Sequence, residues 1–156
     1  MGCYNSITIQ IPRIPYFKTS RYRVAAMVEL SEIKVGERVA DLGSGDGRIS
    51  IAFGKKGAIV TGYELDDRLI DESQKEIQNQ KLEKNVIIKK EDFWNTDLSS
   101  YDVIVVYPMP DIMAPLEKKL LEELKDGARV LSNFYTFPKW KYTECKDKIY
   151  LYEYNE

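Results

Sequence analysis

The sequence predicts an α/β fold: a seven-stranded, mostly parallel sheet with helices on both faces and a C-terminal antiparallel hairpin. Three observations carry the prediction. Val39 and Ala40 end an apolar run, glycines follow at 43, 45 and 47, and Ile49, Ala52 and Phe53 continue at helical spacing, which reads as strand, glycine loop, helix. Apolar strands then alternate with stretches of helical period, the pattern of parallel βαβ units. Finally, residues 139–145 and 148–154 alternate with a period of two around Lys146-Asp147, as a closing hairpin does.

The loop comes first because the site is organised around it. Glycines at 43, 45 and 47 leave backbone bare for a ligand. Such turns stand at the carboxyl edge of an open parallel sheet, where these folds bind ligands. A dinucleotide fingerprint requires Gly-x-Gly-x-x-Gly, with a phosphate on the helix N-terminus. Here the third glycine arrives one position early, and Asp41 precedes the first. The Asp-x-Gly-x-Gly-x-Gly form resembles motif I of the Rossmann-like S-adenosylmethionine (SAM) methyltransferases. The resemblance implies a loop (Gly43, Ser44, Gly45, Asp46, Gly47) laid against the methionine moiety. It also implies that Asp41 faces the ammonium group, directly or through water.

Taken in order, residues 1–19 carry Pro12 and Pro15 among Ile7, Ile9, Ile11 and Ile14, which suits an extended arm. Tyr16 and Phe17 either pack on the domain or form a flap over the ligand. Residues 20–33 have a helical face of Val24, Met27 and Val28. Residues 38–42 form the first strand and the loop helix runs to about Lys55. Ile59 to Glu64 is the second strand. Glu64 follows Gly45 in register, at the next strand tip, where a carboxylate accepts from both ribose hydroxyls, with Leu65 beside it. Asp66 is a helix cap, and Leu69, Ile70, Ser73 and Ile77 are the buried stripe of a helix over 66–82. Val86 to Ile88 is the third strand. Asp92 then stands where this fold holds adenine, with Phe93 or Trp94 against the ring face.

Val103-Ile104-Val105-Val106 is apolar throughout, as expected of a central parallel strand covered on both faces. Tyr107-Pro108-Met109-Pro110-Asp111 follows at the edge where methyl acceptors approach. Ile112, Leu116, Leu120 and Leu124 make one helical face that ends at Asp126-Gly127. Residues 128–135 are the fifth strand. Tyr150, Tyr152 and Tyr154 are expected on the half-exposed face of the edge hairpin. These elements give the sheet order 3-2-1-4-5-7-6, since parallel crossovers keep one hand.

Composition narrows the function classes. The chain of 156 residues is expected to be one domain, 1–156, with 1–19 as its arm. A net charge of −2 argues against a dedicated nucleic-acid surface. Two cysteines and no histidine leave no usual Cys/His zinc site, no metal and no disulfide framework, and point to a cytoplasmic chain. Neither a membrane span nor a leader is expected. The start, Met1-Gly2-Cys3-Tyr4-Asn5-Ser6, fits a loose acylation pattern, with an unmodified start as the expectation.

From about Pro12 to Tyr154 the chain is similar to the small archaeal protein-lysine methyltransferases of broad specificity. It also resembles their mitochondrial relatives that methylate the ATP synthase c-subunit and the adenine nucleotide translocase. The matching residues are Pro15-Tyr16, Asp41-Leu-Gly-Ser-Gly-Asp-Gly-Arg-Ile49, Gly62-Tyr-Glu-Leu65, Glu91-Asp-Phe-Trp94, Gly127-Ala-Arg-Val130 and the aromatic hairpin. The resemblance implies SAM as cofactor and lysine side chains of proteins as acceptors. It gives no counterpart for the 107–110 loop.

A lysine acceptor must lose a proton, at about 4–5 kcal/mol from pH 7. Burial beside a sulfonium lowers that cost, which suits a chain without histidine. Asp111 would attract the ammonium, and Tyr16 and Tyr107 would line its channel. No side chain has an ordinary pKa near 7, so the rate is expected to climb from pH 7 to 9 without a plateau. The alternatives are a small-molecule methyltransferase, an RNA or DNA base methyltransferase, and a non-catalytic SAM-binding scaffold. The base reading is weakened because Tyr107-Pro-Met-Pro lacks the amide or acid of the usual Asn/Asp-Pro-Pro-aromatic loop.

Overall fold

The computed structural model describes residues 17–156. Its elements follow in chain order: α1 (Arg21–Ser31), β1 (Arg38–Leu42), α2 (Arg48–Lys55), β2 (Ile59–Glu64), α3 (Asp67–Asn79), β3 (Val86–Lys90), β4 (Val103–Val106), α4 (Met113–Glu123), β5 (Arg129–Asn133), β6 (Glu144–Lys146) and β7 (Ile149–Glu153). The sheet order is β3-β2-β1-β4-β5-β7-β6, as expected. β1 to β5 pair in parallel, and β7 lies antiparallel to both neighbours.

Side-chain alternation divides the core in two. Val39, Val105 and Leu131 face α1 and α2, where Met27, Leu30 and Phe53 close the layer. Ala40, Ile104 and Val130 face α4, against Leu116 and Leu120. All four β4 residues are buried, which explains its unbroken apolar run. Asp66 caps α3 as expected, taking Arg68 N and Leu69 N on its carboxylate.

Three element boundaries and the burial of one tyrosine depart from expectation. The helix expected over 66–82 stops at Asn79, because Lys81 turns to φ 57° and Leu82 N reaches back to Ile77 O, an αL termination. The fifth strand stops at Asn133 because Phe134 adopts φ 76°. β6 is only Glu144–Lys146, since the amides of Lys139 and Trp140 both donate to the buried Glu117 carboxylate at 2.9 Å instead of a ladder. Tyr152 is buried, not half-exposed: it packs on Phe137 and Trp140, and its hydroxyl accepts from Phe137 N.

Candidate cofactor and acceptor site

The glycine loop is fastened to the β2 tip by backbone. Gly43 N and Ser44 N both donate to Tyr63 O at 2.9 Å, and Gly45 N donates to Glu64 Oε2 at 2.8 Å. The other Glu64 oxygen accepts from Leu65 N and Asp66 N at 2.8 and 3.0 Å. Glu64 therefore knots the loop to the turn after β2, and three backbone donors already occupy its carboxylate.

The glycines divide their work. Gly43 has φ 76° and open space where a Cβ would stand, so bare backbone faces outward there. Gly47 has φ 80°, and a Cβ would stand 2.8 Å from Ser73 Cβ, so this glycine serves close packing of the loop on α3. Gly62 in β2 plays the same part beneath Ser44, whose Oγ is buried without a partner among the described residues.

Asp41 lies under the loop rather than on it. The residue is 2% exposed and its Oδ2 accepts from Ser50 Oγ at 2.6 Å. Burial pushes its carboxyl up to about 7; hydrogen bonds from Ser50 act against this, and Glu64 and Asp46 add like charge. That overturns the expectation that nothing in the chain titrates near neutrality.

Asp46 is bound by Arg48 through Nε and Nη2, while Arg48 Nη1 donates to Thr19 O at 2.9 Å. Thr19 Oγ1 in turn accepts from Asn133 Nδ2 at 3.0 Å. The segment before α1 is thus tied both to the loop and to the end of β5. Ser50 and Asn133 had no signal in the sequence, because Ser50 works hidden under the loop and Asn133 through a partner distant in the chain.

Across the sheet edge, Glu64 pairs in register with Lys90, and Asp92 follows two residues on. Asp92 caps a single 3-10 turn, Phe93–Asn95, through Trp94 N. Phe93 is half-buried, with the Trp94 ring 5.0 Å away, and Leu65 is exposed. Past β4, Tyr107 is half-buried with its ring 6.4 Å from that of Phe17, and Asp111 is exposed in a short turn, Pro110–Ile112. Tyr16 lies outside the described residues. A groove of about 1320 Å³ between α1, α2 and α3 reaches Asp46, and its lining includes neither Glu64, Asp92 nor Tyr107.

The ANTKMT methyltransferase domain family matches residues 41–144, from Asp41 to the first residue of β6. The chain belongs to this family. A human enzyme named as the lysine N-methyltransferase of the ATP synthase c-subunit is 35% identical over 127 residues, covering 81% of this chain and 54% of the human protein. The chain thus spans about half the length of that relative. A protein-lysine N-methyltransferase from Saccharolobus islandicus is 31% identical, covering 83% of this chain and 82% of that protein. Among solved structures, an RNA methyltransferase from Salinibacter ruber in complex with S-adenosyl-L-homocysteine is 28% identical with a TM-score of 0.85, covering 90% of this chain and 95% of that one.

The cofactor of this methyltransferase domain is SAM. The residues present fit it: open backbone at Gly43, a buried hydroxyl at Ser44 that has no partner among the described residues, and carboxylates at the tips of two adjacent strands. Among the described residues no helix is long and apolar enough to cross a membrane. No group of three or more His, Cys, Asp or Glu among them is placed to hold a metal.

Proposed function

We propose that this chain is a single methyltransferase domain, residues 1–156, that methylates the ε-amine of protein lysines. The observation that carries the reading is the loop knotted to Glu64 at the carboxyl edge of the sheet. It occurs in a chain whose relatives over four-fifths of its length are named lysine methyltransferases. When bound, SAM supplies an electrophilic methyl group. Gly43, Ser44, Gly45, Asp46 and Gly47 would seat its methionine end, with Asp41 holding the loop from below. Glu64 and Leu65 would take the ribose, and Asp92 and Phe93 the adenine. Tyr107 would close the edge at the acceptor.

At that edge Tyr107, Asp111 and Tyr16 would receive the lysine. Asp111 draws the ammonium, and the tyrosines exclude water and align the nitrogen. With no histidine in the chain, the departing proton passes to solvent. A cytoplasmic location belongs to the same reading, supported by the exposed, free thiol of Cys145.

The Salinibacter ruber structure favours a second reading, methyl transfer to RNA. The test is incubation with radiolabelled SAM and cell extract, followed by acid hydrolysis of the protein fraction. The lysine reading expects methyl-lysines. Label confined to RNA or to a dialysable product would overturn it and leave the cofactor assignment in place.

A further inference from the structure

The end of β5 carries an arrangement that neither packing nor charge pairing accounts for. Phe134 sits at φ 76°, a conformation bulky side chains rarely adopt, and the residue is 36% exposed. Two cations share that ring: Lys148 Nζ at 4.6 Å and the Arg23 guanidinium at 5.5 Å from its centroid. The backbone fixes them there, because Phe134 N donates to Lys148 O at 2.7 Å and Asn133 anchors Thr19 just ahead of α1. Among the described residues neither cation has a carboxylate within ion-pair distance, and Arg23 Nε is buried without a partner. Arg23 also stands in the first turns of a helix that has no acid in its first turn, where the dipole disfavours a cation. Strain, like charge and an unfavourable dipole thus converge where no carboxylate among the described residues offsets them.

The place of this pair explains its use. Val106 lies opposite Ser132, so Asn133 is level with Tyr107 on the neighbouring strand, and Ile149 is level with Asn133 one strand farther. Two strand spacings put Lys148 roughly 10 Å from Tyr107 along the carboxyl edge. An extended peptide covers that in about three residues.

We propose that Arg23 and Lys148 form a two-cation clamp for a carboxylate within about three residues of the target lysine. This specificity determinant rests on the lysine reading above. The clamp suits one carboxylate: it offers two charges over one ring, on a chain whose net charge is −2.

The experiment uses single-lysine peptides with Glu or Gln at each position within three residues of the lysine. Transfer of label from SAM is read as kcat/KM at low and high ionic strength. The parent should favour Glu over Gln at one or two positions by about tenfold at low salt, and the preference should shrink as salt rises. In Arg23→Gln/Lys148→Gln the ratio should fall to within about twofold. Arg23→Glu/Lys148→Glu should reverse it towards Lys-flanked peptides. S-adenosyl-L-homocysteine binding by calorimetry should survive in both variants; its loss would move the pair into the cofactor site and overturn the clamp. A parent ratio near one, or variants that slow Glu and Gln peptides alike, would also overturn it. Should no peptide acquire methyl-lysine while RNA is labelled, the lysine reading itself fails, which the peptide ratios keep distinct.

Discussion

Asp41→Asn should make the protein more stable than the parent at alkaline pH and should lose that advantage in acid. In the folded chain Asp41 releases its proton near 7, against 3.8 for an unperturbed aspartate. Between those values the folded state keeps a proton that the unfolded chain has lost. The sign is therefore the reverse of a salt-bridged acid. Stability contributed through Asp41 is complete below about pH 4, declines as pH rises, and levels off above 7. At 1.36 kcal/mol per pH unit the separation is worth about 4 kcal/mol. Asparagine keeps the shape and an oxygen for the Ser50 hydroxyl but has no proton to lose. Urea unfolding of both proteins from pH 4.5 to 8.5 isolates the group, since the other carboxylates cancel in the difference. The variant-minus-parent stability should grow by about 3–4 kcal/mol across that range. A difference flat within about 0.5 kcal/mol would refute the argument, because it would mean that the buried carboxyl is ionised at its ordinary pKa.

Glu64→Ala should cut SAM affinity by at least about a hundredfold in calorimetry, as bonds to a charged acceptor contribute roughly 1.5–3 kcal/mol each. It should also lower the unfolding midpoint, because the backbone donors of Gly45, Leu65 and Asp66 lose their acceptor. An affinity within threefold of the parent would remove Glu64 from the site. Gly47→Ala should destabilise by about 2–4 kcal/mol, through left-handed strain and overlap with Ser73. Gly43→Ala should cost only about 1–2 kcal/mol but weaken SAM binding more; the opposite ranking in paired melts and titrations would contradict the division of labour. The methyl-transfer rate should rise from pH 7 to 9 with lysine ionisation and carry a second inflection near 7 that disappears in Asp41→Asn. An inflection that persists in the variant would assign it elsewhere.

What the sequence disclosed was local or periodic. The alternation of strands and helices, the cap at Asp66, the buried stripe of α3 and the continuous apolar β4 all follow from spacings within a dozen residues. Glu64 was legible because its distance from the loop is one βαβ step. The misses are long-range: Ser50 turning onto Asp41, Glu117 taking the amides of Lys139 and Trp140, and Asn133 reaching Thr19. No pattern in the neighbouring residues encodes these pairings. Asp41 was expected as a site residue from the motif, yet its proton affinity escaped, since burial of a carboxyl depends on what the folded chain lays over it.

The knot at Glu64 has a thermodynamic consequence. The loop amides are held by Tyr63 O and the Glu64 carboxylate in the folded protein itself. Loop ordering therefore belongs to folding and not to association. A ligand arriving at Gly43 meets a preorganised cradle and loses only its own freedom and that of the side chains it touches. Binding should accordingly show little of the large opposing entropy and heat-capacity change that mark a segment folding onto its ligand.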